Sequence, residues 1–280
     1  MTTLPRHAHY IAGEWTAGSR LAENVNPSDL GDVIAQFPLG DEADASRAVD
    51  AARAAFPAWA STTPQQRADI LERAGLLLAQ RAQDLGTLLA REEGKTLSEA
   101  VGEVLRAAQI FKFFAQEALR IAGEAIQSVR PGVEVLVLRE PVGVVALVTP
   151  WNFPIAIPAW KMAPALACGN TVVLKPAELT PASACALVAI LVEAGCPAGV
   201  VNLVLGTGGE VGAALVEHPE VDAVSFTGSV AVGRAIAATA ARTLKKVQLE
   251  MGGKNPMVIM DDADLDTAVA ASLNGALFST

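Results

Sequence analysis

Val142-Gly143-Val144-Val145-Ala146-Leu147-Val148 runs without a polar side chain into Thr149-Pro150-Trp151-Asn152-Phe153-Pro154. A short aliphatic run that does not alternate with polar residues reads as a strand buried on both faces. Pro150 and Pro154 bound the turn that follows, because proline can neither donate to a ladder nor continue one. The construction recurs at Thr171 to Leu174, Val201 to Leu205, Ala223 to Phe226 and Lys245 to Leu249, each run preceding a segment of helical composition. Such alternation predicts an α/β fold, a doubly wound parallel sheet with helices on both faces.

Upstream, residues 1 to 40 hold short β-like pieces, Tyr10-Ile11-Ala12-Gly13-Glu14-Trp15 and Val33-Ile34-Ala35, separated by Asn26-Pro27 and glycines. Three helical stretches are expected next. Asp41 precedes the first, and Thr63-Pro64-Gln65-Gln66 supplies the second with an N-cap, an N1 proline and a capping-box glutamine. The second carries Leu71, Ala74, Leu78, Leu85 and Leu89 on one stripe, and the third carries Leu97, Val101, Val104, Ala108 and Phe111. From Gly123 to Arg139, Val133, Val135 and Val137 alternate with Glu134, Leu136 and Leu138, which predicts a hairpin projecting as an arm. Downstream of Gly253, a strand at Pro256 to Met260 and a helix starting near Asp264 are expected.

Composition narrows the function. The 280 residues carry a net charge of -9, which argues against nucleic-acid and anionic-membrane partners, since both require basic patches. The N-terminus, Met1 to His7, lacks the apolar core of a secretory leader, and Pro150, Pro154, Pro158, Lys161, Pro164 and Asn170 interrupt the longest apolar tract. Cys168, Cys185 and Cys196 are odd in number and lie in aliphatic surroundings, so buried structural thiols in a reducing cytoplasm are expected.

In an open parallel sheet ligands bind beyond the carboxyl ends of the strands, so the residues there are the candidates for chemistry. After Leu205 stands Gly206-Thr207-Gly208-Gly209-Glu210-Val211-Gly212, whose glycine spacing is a weak dinucleotide fingerprint and equally a plain turn before a helix. Thr227-Gly228-Ser229 precedes a helical stretch from about Val230 to Ala241; its N-terminus suits a pyrophosphate, while Ser229 alone could be an ordinary N-cap. Lys175 and Glu178 could both reach ribose hydroxyls, although a solvated surface ion pair is the simpler reading of Lys175-Pro176-Ala177-Glu178. The Asn152 amide, in a rigid proline-bounded turn, can donate to an oxyanion without adding charge; satisfying loop backbone is the alternative. Glu250 ends an apolar strand beside Gly252-Gly253, where partial desolvation would fit it to act as a general base; taken alone, a structural or surface role is the simpler reading.

In this order and together, these motifs resemble the aldehyde dehydrogenase superfamily over the span from Tyr10 to Thr280. The resemblance implies that Asn152 stabilises the oxyanion and Glu250 activates the hydrolytic water. It further implies that Lys175 and Glu178 hold the adenosine ribose, that Gly208, Phe226, Gly228, Ser229 and Val232 line the pyrophosphate and adenine path, and that Thr149, Trp151 and Met251 contact the cofactor, NAD or NADP. In that chemistry a cysteine thiolate attacks the aldehyde carbon, hydride passes to nicotinamide, and water releases the acid. The nucleophile's expected position lies beyond Thr280, none of the three cysteines matches it, and the 280-residue chain alone is expected to be inactive.

The same resemblance divides the chain into a dinucleotide-binding domain (1–122 and 140–250), a hairpin oligomerisation arm (123–139) and the start of a second α/β catalytic domain (251–280). It implies a small-molecule aldehyde substrate, no metal, and a homodimer or homotetramer at full length. Val101 to Phe114, Ser128 to Val133, Val224 to Gly233 and Gln248 to Pro256 look most like the branch acting on α-ketoglutarate semialdehyde. A catalytically silent dinucleotide-binding or interaction module is the competing reading. An ordinary Rossmann alcohol dehydrogenase is disfavoured by the glycine spacing and by Tyr10 being the one tyrosine.

Overall fold

The computed structural model describes residues 4–278, so Met1 to Thr3 of the stretch read for a secretory leader, and Ser279 and Thr280 at the end of the span that carries the resemblance, lie outside it. Two short strands, β1 (His9–Ile11) and β2 (Glu14–Thr16), form an antiparallel pair, and β3 (Leu21–Val25) and β4 (Val33–Pro38) make a separate two-stranded sheet. Helices α1 (Glu42–Ala60), α2 (Pro64–Gln80), α3 (Ala82–Glu93) and α4 (Leu97–Ala118) follow. Capping boxes start α1 at Asp41, α2 at Thr63 and α4 at Thr96.

Where one helix was expected from Leu71 to Leu89 there are two. Arg81, with φ −102° and ψ 16°, ends α2 and begins α3. The apolar stripe survives the break: Leu71, Ala74 and Leu78 on α2 and Leu85 and Leu89 on α3 are all buried. Spacing alone therefore gave no sign of it.

The hairpin is β5 (Glu124–Gln127) paired with β6 (Glu134–Val137), exposed along both strands. Beyond it the chain alternates strictly: β7 (Val144–Val148), α5 (Ala156–Ala167), β8 (Thr171–Lys175), α6 (Pro181–Glu193), β9 (Val201–Leu203), a π-helical turn (Gly208–Gly212) leading into α7 (Ala213–Glu217), β10 (Ala223–Gly228), α8 (Val230–Ala241) and β11 (Lys246–Met251). The sheet order is β11-β10-β7-β8-β9-β1-β2. From β7 to β9 the chain steps one way across the sheet, then returns to lay β10 and β11 on the other side of β7. The reversal leaves a crevice between the carboxyl ends of β7 and β10. The pairs among β7 to β11 are parallel as expected, while β1 and β2 add an antiparallel edge.

Side-chain alternation along the strands builds two cores. Val145 and Leu147 of β7 and Val172 and Leu174 of β8 face α2, α4, α5 and α6. Ala146, Val148, Val173, Val224 and Phe226 face α1, α7 and α8. Both faces are thus buried, as a doubly wound sheet requires. Emptying such a position, for example Leu147→Ala, typically costs about 2–5 kcal/mol.

The strand expected at Pro256 to Met260 is absent. These residues are exposed and without regular structure, because no strand among the described residues lies beside them to complete a ladder. The following helix, α9 (Leu265–Leu277), is capped by Asp264 but buries no residue. No helix among the described residues is long and apolar enough to cross a membrane.

Candidate active site and dinucleotide cleft

Two clefts open at the carboxyl edge of the sheet, one on each side of the crevice, and Pro150, Trp151, Thr227, Gly228 and Ser229 belong to both. The loop after β7 and the loop after β10 therefore form a common wall.

The cleft on the α8 side has a volume near 870 Å³ and is lined by Thr149, Trp151, Lys175, Glu178, Gly208, Phe226, Gly228, Ser229 and Val232. Lys175 is the last residue of β8 and is 3% exposed, its Nζ 3.2 Å from Glu178 Oε2. This corrects the solvated surface pair: the lysine is buried, and burial pulls its pKa below the ordinary value against the opposing pull of Glu178. Thr149 Oγ1 is buried with no hydrogen-bond partner among the described residues. A Cβ on Gly208 would stand 3.9 Å from Lys175 Nζ, an ordinary contact distance, so Gly208 lies beside that amine. Ser229 does cap α8, its Oγ accepting from the Val232 amide at 3.3 Å. A cap accounts for one of the unpaired first-turn amides and leaves others to a ligand. Gly206, at φ +145°, turns the chain so closely that a Cβ would crowd the Gly40 backbone.

The second cleft, near 800 Å³, contains Asn152, Trp160, Lys161, Ser225, Gln248, Glu250 and Met251. Met251 borders this cleft and not that of Lys175 and Glu178, but its side chain packs toward α8, where a Cβ on Gly233 would overlap its sulfur. The Asn152 side chain makes no hydrogen bond among the described residues; its backbone carbonyl accepts from Lys95 Nζ at 2.8 Å. The alternative reading, an amide that satisfies loop backbone, has no hydrogen bond behind it among the described residues. Glu250, opposite Thr227 in the β10–β11 register, is exposed, which corrects the expected desolvation.

The desolvated ionisable group here is Lys161, one the sequence reading passed over. It is buried, its Nζ 2.8 Å from Ser225 Oγ and 3.1 Å from Gln248 Oε1, and the Ser225 hydroxyl donates to the same Gln248 oxygen at 2.5 Å. Burial lowers its pKa to about 8, with the Glu250 charge pulling the other way. The available signal was compositional: Lys161 is the one charged residue in Ala156–Ala167. Ser225 and Gln248 could be recognised only from the strand faces they occupy.

The three cysteines stand apart from both clefts. Cys185 and Cys196 are buried and their thiols pushed up to about 12, whereas Cys168 is exposed, contrary to the expectation of three buried thiols. Among the described residues no cluster of His, Cys, Asp or Glu could hold a metal ion.

A profile of the aldehyde dehydrogenase family matches residues 15–280. The α-ketoglutaric semialdehyde dehydrogenase of Bacillus subtilis is 43% identical over 282 residues, covering 100% of this chain and 58% of its own. The glutarate-semialdehyde dehydrogenase of Pseudomonas putida is 43% identical over 272 residues, covering 96% of this chain and 56% of its own. The crystal structure of Staphylococcus aureus betaine aldehyde dehydrogenase in complex with NAD+ matches with a TM-score of 0.93 at 39% identity, over 96% of this chain and 54% of that one. A structure described as an E. coli NADP dependent enzyme matches with a TM-score of 0.94 at 42% identity, over 96% and 56%. The chain spans a little over half the length of these relatives.

Proposed function

The chain belongs to the aldehyde dehydrogenase family, and from that premise we propose that it supplies the dinucleotide site, an oxyanion donor and the general base of an enzyme oxidising an aldehyde to its acid with NAD+ or NADP+. One observation carries the reading: the cleft of Lys175, Glu178 and the α8 N-terminus shares a wall with the cleft of Asn152 and Glu250. A dinucleotide along the first would bring its nicotinamide end to the second.

The residues fit that ligand. Lys175 and Glu178 would hold the adenosine ribose, the first turn of α8 with Gly228 and Ser229 would take the pyrophosphate, and Phe226 and Val232 would line the adenine path. Gly208 would line the path beside Lys175, and Thr149, Trp151 and Met251 would contact the nicotinamide half. When bound, the oxidised nicotinamide supplies a hydride acceptor. The Asn152 amide would donate to the oxygen that gains charge as the carbonyl is attacked. Glu250, open to solvent, would take a proton from the water that releases the acid.

The likeness to α-ketoglutaric semialdehyde dehydrogenase supports α-ketoglutarate semialdehyde as the substrate. The same reading assigns 1–122 and 140–250 to the dinucleotide-binding domain, 123–139 to an oligomerisation arm of a cytoplasmic homodimer or homotetramer, and 251–280 to the catalytic domain. The attacking thiol is assigned to a position outside these 280 residues. The test is an assay of the complete polypeptide with α-ketoglutarate semialdehyde and with betaine aldehyde, using NAD+ and NADP+ in turn. Reduction of either dinucleotide, with a higher kcat/KM for the dicarboxylate-derived aldehyde, is the expected result. Dinucleotide binding without turnover would favour a silent module instead.

A further inference from the structure

The loop that carries Asn152 is held from below by a buried ion pair. Lys95 lies in the connection between α3 and α4, and Glu103 lies on α4; both side chains are 1% exposed. Lys95 Nζ is 2.7 Å from Glu103 Oε2 and donates to the Asn152 carbonyl at 2.8 Å, and it lies 4.2 Å from the centroid of the Phe153 ring. Glu103 Oε1 accepts from the amides of Ile155 at 2.9 Å and Ala156 at 3.0 Å. One carboxylate thus caps the start of α5 while its partner cation grips the two residues before it.

We propose that Lys95 and Glu103 are positioning residues for the Asn152 amide. The proposal rests on the reading of Asn152 as the oxyanion donor. A charged pair removed from water is costly unless its hydrogen bonds are satisfied. Here both oxygens of Glu103 are occupied, and Lys95 has two buried carboxylates, Glu103 and, at 3.9 Å, Glu93, together with a carbonyl and a ring face. Three of those partners, Asn152, Phe153 and the α5 start, belong to one loop, so the pair fixes that loop at several consecutive points. The Asn152 side chain itself is left without a partner among the described residues, so its aim is set through its backbone. A misplacement of about 1 Å at a reacting centre can cost about 10²-fold in rate.

The test is a double-mutant cycle in the complete polypeptide, combining Lys95→Met with Asn152→Ala and reading kcat/KM for the aldehyde, dinucleotide Kd and thermal midpoint. Lys95→Met is expected to lower kcat/KM about 10²-fold with the dinucleotide Kd essentially unchanged. In its background Asn152→Ala is expected to cost much less than in the parent. If Asn152→Ala costs the same in both backgrounds, the positioning role is overturned and the oxyanion role stands. If Asn152→Ala costs nothing in the parent, the oxyanion role fails and the positioning role with it. Should Lys95→Met fail to fold, Glu103→Gln replaces it in the cycle, keeping the side chain's shape while weakening the grip on Lys95, and the same two results decide.

Discussion

The Lys161 ammonium reaches across from α5 to the Ser225 hydroxyl on β10, 2.8 Å away, within a cleft edge that also holds Gln248. Burial brings this lysine from its ordinary 10.5 down to about 8. Between those values the unfolded chain binds a proton that the folded chain does not, so stability rises as pH climbs from about 8 toward 10.5. A side-chain NMR titration of Lys161 is expected to give a midpoint near 8. Lys161→Met is expected to flatten the rise in urea midpoint over that window; an unchanged slope would contradict the assignment.

Glu250→Gln removes the proposed proton acceptor and leaves the strand intact. In the complete polypeptide the first turnover should keep its hydride-transfer amplitude while steady-state turnover falls by about 10²-fold or more. Rapid-mixing absorbance distinguishes the two, and loss of the first-turnover burst would count against Glu250 acting only on the water.

Gly228→Ala tests how closely the α8 cleft is packed. A Cβ there would drive into the Phe226 ring, which itself lines the cleft. Overpacking of this kind costs about 1–3 kcal/mol, so the dinucleotide Kd should rise about tenfold or more. Gly102→Ala on α4, with nothing within 4 Å of the new methyl, should leave Kd alone and raise the thermal midpoint slightly. Fluorescence titration reads both.

Glu178→Gln should shift dinucleotide preference toward the 2′-phosphorylated form, because it removes the negative charge beside Lys175 while leaving a buried cation to meet the phosphate. The ratio of the two Kd values checks it; a ratio that stays put would detach Glu178 from the ribose.

Alkylation at neutral pH should modify Cys168 first and reach Cys185 and Cys196 only on unfolding, since both are buried with thiols near 12. Peptide mapping by mass spectrometry would show the order.

The sheet was legible because parallel strands buried on two faces leave continuous apolar runs, and Val144–Val148 is such a run. Topology put the strand ends at the crevice before any coordinate was known, but the roles of the residues there came from the resemblance and not from the sheet. What escaped depends on which groups meet in space. Arg81 breaks a helix without breaking the stripe on either side of it. Lys95 and Asn152 are 57 residues apart and join through a side chain and a backbone carbonyl, a contact that leaves no periodic trace. Glu250, expected to be partly desolvated, is open, and Lys161, for which no environment was expected, is enclosed.

The pairing of β10 with β11 runs in step from Ala223 opposite Lys246 to Gly228 opposite Met251. Gln248 and Glu250 consequently share one side of the sheet with Ser225 and Thr227, while Leu249 and Met251 pack against the α8 side. Deleting one codon in the loop before β11 would offer the chain a choice between a stretched connection and a strand turned over by one residue, its carboxylate facing α8 and its methionine side chain facing Lys161. A library of single-codon deletions and insertions there would therefore separate variants that are soluble but inert from those that merely fold less well, marking the boundary between a sequence that makes this sheet and one that aims it.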